Sequence, residues 1–128
     1  MEPSGELRSI LIADDSRTAR ILMEERIRQV LGKVFIIQTG DGLRAYESAR
    51  VSPPDLLVTS VRLARMNGIT LVKKIIAGKN YPFPLRVLLV TPFNREACRR
   101  YLGHLVRLEF ADKPFDPEEL SEVLGRLS

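Results

Sequence analysis

The chain has 128 residues, of which 45% are hydrophobic and 28% charged, and its net charge is +4. This composition is typical of one globular domain with its own core, and no apolar run approaches the ~20 residues that a membrane-spanning helix needs. The N-terminus lacks a signal-peptide pattern and the single cysteine excludes an internal disulfide, so we expect one cytoplasmic domain over residues 1–128 without a membrane segment.

Short apolar runs alternate with amphipathic stretches along the whole chain, which predicts five strands and five helices. In chain order these elements are strand Ser9–Ala13, helix Ser16–Leu31, strand Val34–Thr39, helix Asp41–Arg50, strand Leu56–Thr59, helix Gly68–Ala77, strand Leu85–Val90, helix Asn94–Leu102, strand Val106–Ala111 and a helix from Asp116 to Leu127. The regular alternation predicts an α/β fold, a doubly wound five-stranded parallel sheet with helices on both faces.

Individual residues predict where some helices begin and end, which strand lies at an edge, and which side chains face the core. The last strand alternates apolar and polar residues, which predicts an edge strand. Gly78 is predicted to cap the third helix, and Asp116 with Pro117 to begin the fifth. The apolar face of the first helix includes Val30, and that of the fourth includes Tyr101 and Cys98, for which we expect a packing role.

The net charge is concentrated in one part of the chain. Residues 86–107 contain five arginines and one glutamate, whereas the remaining residues contain 15 basic and 15 acidic side chains. Such a patch attracts nucleic acid, anionic lipid or an acidic protein, and it equally fits a solvated helix face. No nucleic-acid motif or aromatic interleaving accompanies it, so nucleic acid is the weaker interpretation.

Polar side chains follow four of the predicted strands at the point where each strand ends. These groups are Asp14-Asp15, Thr59-Ser60, Thr91 and Asp112-Lys113. Because the carboxyl ends of parallel strands meet at one edge of the sheet, where such folds bind their ligands, we expect the four groups to form one site.

The groups and the motifs around them resemble the receiver domain of two-component response regulators. The matching segments are ADDS (13–16), PDLL (54–57), MNG (66–68), LVT (89–91) and FADKPF (110–115). The resemblance implies the flavodoxin-like strand order 2-1-3-4-5. It also implies phosphoryl transfer from a histidine kinase to an aspartate after the third strand, with Mg²⁺ held by that aspartate and an acidic pair.

The resemblance assigns a role to each group around the site. Asp14 and Asp15 match the acidic pair, Thr91 the hydroxyl that answers the phosphoryl group, and Lys113 its cationic partner. The Lys113-Pro114 bond matches a peptide bond that is cis in the family. Phe110 matches the aromatic switch position, but without a phosphoryl group we expect it to be a core residue.

The phosphoacceptor position is occupied by serine. In the family, PDLL and MNG flank that position at fixed distances, and counting from Asp55 or from Gly68 leads to Ser60 in both cases. The family's aspartate is therefore missing from this chain.

Three further departures cluster around the same pocket. Ala64 replaces a proline that is usual in that loop, and Arg62 occupies the position whose carbonyl normally binds the metal. Pro92 replaces a residue whose backbone N–H donates to the phosphoryl oxygen, and proline has no N–H. Several changes at one pocket indicate natural divergence rather than one designed substitution.

We expect a degenerate receiver domain that acts as a phosphorylation-independent protein-interaction module. One alternative is a phosphorylatable receiver that uses Ser60 or another residue. A serine hydroxyl needs an adjacent base, however, and a phosphoserine beside Asp14 and Asp15 would be repelled without a metal. A distant alternative is a small Mg²⁺-dependent phosphohydrolase of the haloacid-dehalogenase type, which requires D-x-D where this chain has adjacent aspartates. A flavin site requires a Ser/Thr/Gly-rich loop after the first strand, where this chain has the two carboxylates of Asp14 and Asp15. We therefore expect no enzyme and no cofactor, with Mg²⁺ bound weakly by Asp14 and Asp15 or not at all.

The resemblance also implies an interaction face. In the family, the fourth helix, fifth strand and fifth helix dock partners or dimerise. Arginine and tyrosine are enriched at binding hot spots, and here this face carries Arg95, Arg99, Arg100, Tyr101 and Arg107. We expect a signalling partner such as a histidine kinase, an output domain or another regulator, or a homodimer through this face.

Overall fold

The predicted α/β sheet is present. The computed structural model describes residues 6–78, 84–91 and 94–128. Its five strands form one parallel sheet in the order β2-β1-β3-β4-β5, which confirms the order 2-1-3-4-5 and places the fifth strand at an edge. The strands are β1 (Ser9–Ala13), β2 (Phe35–Thr39), β3 (Leu56–Thr59), β4 (Arg86–Val90) and β5 (Arg107–Ala111).

Five helices connect and follow the strands, and a polar side chain caps each of them; before the third, Asn67 Oδ1 accepts the backbone N–H of Thr70 at 2.9 Å. The helices are α1 (Arg17–Leu31), α2 (Gly42–Val51), α3 (Gly68–Gly78), α4 (Arg95–Leu102) and α5 (Pro117–Leu127). Ser16, Asp41, Asn94 and Asp116 each accept a backbone N–H of the first turn that has no partner inside the helix. Gly78, which we expected to cap α3, is instead the last residue assigned to that helix.

The helices form two layers because successive strand residues point to opposite faces of the sheet. In β1, Ile10 and Ile12 pack with α1 and α5, whereas Leu11 and Ala13 pack with α2, α3 and α4. Helices on both faces therefore cover a sheet whose central strands are fully buried. Within the described residues, none of the helices has the length and apolar composition to cross a bilayer.

Two side chains that we expected to face inward are exposed. Val30 is 39% exposed, since the buried stripe of α1 runs through Met23 and Ile27, and Val30 lies beside it near the helix end. Tyr101 is 56% exposed, because Cys98 and Leu102 alone fill the inner side of the short helix α4.

Gly68 marks a place where the start of α3 approaches the end of β3 closely. A Cβ at this glycine would lie 2.1 Å from the carbonyl oxygen of Ser60, far inside van der Waals contact with backbone. Gly68→Ala should therefore destabilise the fold by about 1–3 kcal/mol. Gly125→Ala is the matched control, because nothing lies within 4 Å of its Cβ position in α5, and alanine there should stabilise by about 0.5–1 kcal/mol. Equal effects in thermal unfolding would contradict the close approach.

Candidate functional site

The carboxyl ends of the strands bring the predicted groups together at one edge of the sheet. Asp14 and Asp15 follow β1, Ser60 follows β3, Thr91 follows β4 and Lys113 lies after β5. A cavity of about 390 Å³ lies among them. It is lined by Asp15, Ser16, Ser60, Val61, Arg62, Val90, Thr91 and Lys113.

Lys113 makes a direct ion pair with the acidic pair. Its Nζ lies 2.7 Å from Asp14 Oδ1 and 3.6 Å from Asp15 Oδ1. The Asp14 side chain is fully buried, whereas that of Asp15 is 48% exposed. Asp14 Oδ1 also accepts the backbone N–H of Ser16, and its Oδ2 has no hydrogen-bond partner among the described residues. The lysine ammonium is therefore the cation that offsets a carboxylate without access to water.

Lys113 is placed by the turn after β5. The peptide bond between Lys113 and Pro114 is cis, as the family resemblance implied. The turn continues into Asp116, which caps α5.

Ser60 is buried, and its hydroxyl is engaged locally. Its backbone N–H donates to Ala13 O at 2.9 Å, which continues the pairing of β3 with β1 by one residue. Its Oγ–H donates to the carbonyl of Arg62 at 2.8 Å, and only 2% of the residue is exposed. The hydroxyl therefore bonds to the carbonyl that we identified as the family's metal ligand, and not to Asp14 or Asp15.

Thr91 is buried at the end of β4, where its backbone N–H donates to Ala111 O at 3.1 Å. It lines the same cavity as Ser60 and Lys113, as predicted. Pro92, the predicted departure beside it, lies outside the described residues.

Phe110 is a buried residue that packs with Leu89 and Cys98. The guanidinium groups of Arg95 and Arg99 lie 5.5 and 5.0 Å from the centre of its ring, which is within the range of cation–π contact. The expected core position is confirmed. Cys98 is buried in the same cluster, which confirms its packing role, and this burial raises the pKa of its thiol.

The loop after β3 is joined to the start of α2, a connection that we did not predict. Ala64 exchanges backbone hydrogen bonds with Gly40 and Gly42 at 3.2 and 2.8 Å. Arg65 adopts a positive φ of 66°, and its Nε lies 2.6 Å from Asp41 Oδ2. The hydrogen bond from Arg65, with those from two backbone N–H groups of α2, holds the pKa of the Asp41 carboxyl below its usual value.

The same loop carries the two predicted departures that the structure describes. Ala64 is exposed and takes part in the backbone pairing with the α2 loop. Arg62 is exposed and lines the cavity, but its side chain pairs with neither Asp14 nor Asp15. Lys113, and not Arg62, is therefore the cation that makes ion pairs with Asp14 and Asp15.

The expected interaction face is only partly available. Arg95 pairs with Asp112 at 2.7 Å and with Glu119 at 3.6 Å, and Arg107 donates to the carbonyl of Arg126. Arg99 and Arg100 are exposed and line a shallow surface depression with Glu96. Tyr101 is exposed beneath the ammonium of Lys73 on α3, which lies 5.2 Å from its ring centre. Within the described residues, the arginines of this face without an ion pair or a side-chain hydrogen bond are therefore Arg99 and Arg100 of α4.

Comparison with curated proteins finds relatives along nearly the whole chain. An uncharacterized response regulatory protein of Yersinia pestis is 25% identical over 93% of this chain and 48% of its own length. The transcriptional regulatory protein PdtaR of Mycobacterium tuberculosis is 26% identical over 88% of this chain and 53% of its own length. The chain therefore spans about half the length of these two relatives. Sporulation initiation phosphotransferase F of Bacillus subtilis is 28% identical over 91% of this chain and 90% of its own length.

Solved structures agree on the fold and the family. A two component transcriptional regulator AraC from Clostridium phytofermentans superimposes with a TM-score of 0.79 at 30% identity, covering 94% of this chain and 92% of that one. The chemotaxis response regulator CheY4 of Vibrio cholerae, 22% identical, shares the fold with a TM-score of 0.81 over 95% of this chain and 99% of its own. The family model described as response regulator receiver domain matches residues 10–125. The chain therefore belongs to the receiver domain family of two-component response regulators.

Proposed function

We propose that this receiver domain works as a protein-interaction module without phosphorylation of an aspartate. The observation that carries the proposal is the residue at the end of β3. Ser60 lies in the cavity with Asp15, Thr91 and Lys113, where an acceptor would have to lie, and it provides a hydroxyl instead of a carboxylate. A hydroxyl cannot form the acyl phosphate on which receiver switching depends.

The charges of the pocket support the same function. Mg²⁺ prefers several oxygen ligands in near-octahedral geometry and is held through carboxylates. Among residues 6–78, 84–91 and 94–128, no three His, Cys, Asp or Glu side chains are grouped so that they could hold a metal ion. The buried carboxylate already has a cation, because Lys113 Nζ contacts Asp14 Oδ1. The donor set therefore does not fit a tight Mg²⁺ site.

The geometry does not favour Ser60 as an alternative phosphoacceptor. The serine O–H donates to the Arg62 carbonyl, so the proton that a base would have to remove is bonded to a backbone oxygen and not to Asp14 or Asp15. A phosphohydrolase-like enzyme has no support beyond the shared type of fold, since the relatives are signalling proteins. For the partner, we propose a signalling protein or a second copy of the chain, with no role for nucleic acid or membrane. A cytoplasmic location stays a prediction.

Calorimetric titration with Mg²⁺ tests the metal part of the proposal. We expect no saturation in the sub-millimolar range, because the pocket lacks one carboxylate ligand and Lys113 competes for another. Saturable heat at those concentrations would show that Asp14 and Asp15 are sufficient to bind Mg²⁺. The charges of the pocket would then no longer support the proposed function.

A further inference from the structure

The cations of this domain are distributed unequally between the two helix layers. α2, α3 and α4 carry seven basic and two acidic residues, whereas α1 and α5 carry five of each. α3 packs against both α2 and α4, so the three helices form one continuous layer. The excess charge of the chain therefore lies on one face of the molecule, and α3 is at its centre.

Most cations on this layer have no anionic partner in the part of the chain that the structure describes. Outside this layer, five of the described basic side chains pair with carboxylates, among them Arg28 with Glu24 and Arg126 with Glu109. On the α2–α4 layer, among the residues that the structure describes, only Arg95 does so, and its partners lie outside the layer. The six remaining cations are exposed and make no hydrogen bond or ion pair through their side chains within the described residues. We call them the basic helix surface: Arg44, Arg50, Lys73, Lys74, Arg99 and Arg100.

Aromatic rings hold several of these cations in place. Arg50 and Lys74 each lie 5.8 Å from the ring centre of Tyr46, and Lys73 lies 5.2 Å from that of Tyr101. A cation over a ring keeps its charge and remains able to bind an anion. The contacts therefore position α3 lysines between two tyrosines without neutralising them.

We infer that the basic helix surface, centred on α3, binds an acidic segment of a protein partner. This inference rests on the proposed function as an interaction module and names the face and the chemistry of the partner. Positive potential without internal neutralisation steers an acidic partner and fixes its orientation. Arg95 and Arg107 of the face that the family uses are engaged internally, which directs the partner towards α3.

An acidic protein fits this surface better than nucleic acid does. Binding of single strands depends on aromatic faces that are open for base stacking. Here the rings of Tyr46 and Tyr101 are approached by the protein's own cations. Arginine and tyrosine together are typical of hot spots at protein interfaces.

The test measures fluorescence anisotropy of a labelled poly-glutamate peptide with the full chain and two charge-matched variants, in EDTA and without phosphodonor. Lys73→Glu with Lys74→Glu should weaken binding by about tenfold. Arg17→Glu with Lys33→Glu changes the net charge equally at exposed positions outside the surface, and it should weaken binding by less than about twofold. Circular dichroism melts verify that all variants fold.

The other outcomes would overturn the inference. Undetectable binding to the unmodified chain would mean that the basic helix surface does not bind an acidic segment. Equal losses of affinity in both double variants would mean that only the net charge of the chain matters. A larger loss from Arg107→Glu than from the α3 variant would move the surface to β5. Tighter binding of a single-stranded RNA with the same number of charges would assign the surface to nucleic acid. A second titration of the unmodified chain with Mg²⁺ and acetyl phosphate separates the two failures. Binding there but not in EDTA would contradict the proposed function, whereas no binding in either condition would overturn the inference alone.

Discussion

Replacing Lys113 by methionine should lower the free energy of unfolding by about 3 kcal/mol, because it leaves a buried carboxylate without its cation. The Asp14 side chain is fully buried, and Lys113 Nζ is 2.7 Å from its Oδ1. Methionine keeps much of the length and apolar stem of lysine, so the change removes charge more than packing. Urea denaturation at neutral pH measures the loss.

The matched control is Arg126→Met on α5. Arg126 also pairs with a carboxylate, at 3.0 Å from Glu109, but its side chain is 54% exposed. Water and salt screen such a pair, so its loss should cost less than about 1 kcal/mol. If both variants lose equally little stability, the contact between Lys113 and Asp14 does not neutralise a buried charge, and the account of the pocket is wrong.

Ser60→Asp should restore the missing carboxylate and with it measurable binding of Mg²⁺. A third acidic ligand beside Asp14 and Asp15 should raise the affinity on the order of tenfold or more, since affinity for divalent cations follows the charge of the ligand set. Calorimetry on Ser60→Asp and the unmodified chain gives the comparison. Ser60→Asn, which has a similar shape and no charge, is the control and should bind no better than serine.

Full switching should still fail in Ser60→Asp because of Pro92. A lost donor to a charged oxygen is worth about 1.5–3 kcal/mol, and proline has no N–H to donate. Ser60→Asp alone should therefore take up a phosphoryl group from acetyl phosphate without the conformational response, whereas Ser60→Asp combined with Pro92→Ala should show that response, as measured by intrinsic tyrosine fluorescence. Equal responses of the two variants would show that Ser60 alone, and not Pro92, prevents switching in this chain.

Local signals in the sequence were sufficient to predict the strands, the helices and the doubly wound α/β class, whereas the strand order came from the resemblance to receiver domains. Apolar runs defined the five strands, and Ser16, Asp41, Asn94 and Asp116 defined where helices begin, with differences of one or two residues at some ends. The exposure of Val30 was missed because a helical pattern does not reveal how wide the packed stripe is.

The site was predicted less completely, because its contacts join distant parts of the chain. The resemblance placed Asp14 and Lys113 in one pocket, but only the fold shows that residues 99 positions apart make a direct ion pair. Arg65 pairs with Asp41 from a backbone with positive φ, which no sequence pattern predicted. Likewise, charge counts placed Arg95 on a free face, whereas Asp112 and Glu119 neutralise it.

Treatment of the unmodified chain with acetyl phosphate and Mg²⁺, followed by intact-mass measurement, decides whether this domain takes up a phosphoryl group. Ser60→Asp, treated in parallel, is the positive control for an acceptor in this pocket. Because the phosphoacceptor aspartate is missing, we expect the unmodified chain to keep its mass, while Ser60→Asp gains the mass of one phosphoryl group. A phosphoryl group on the unmodified chain, mapped by peptide sequencing to Ser60 or to Asp14 or Asp15, would contradict phosphorylation-independent function.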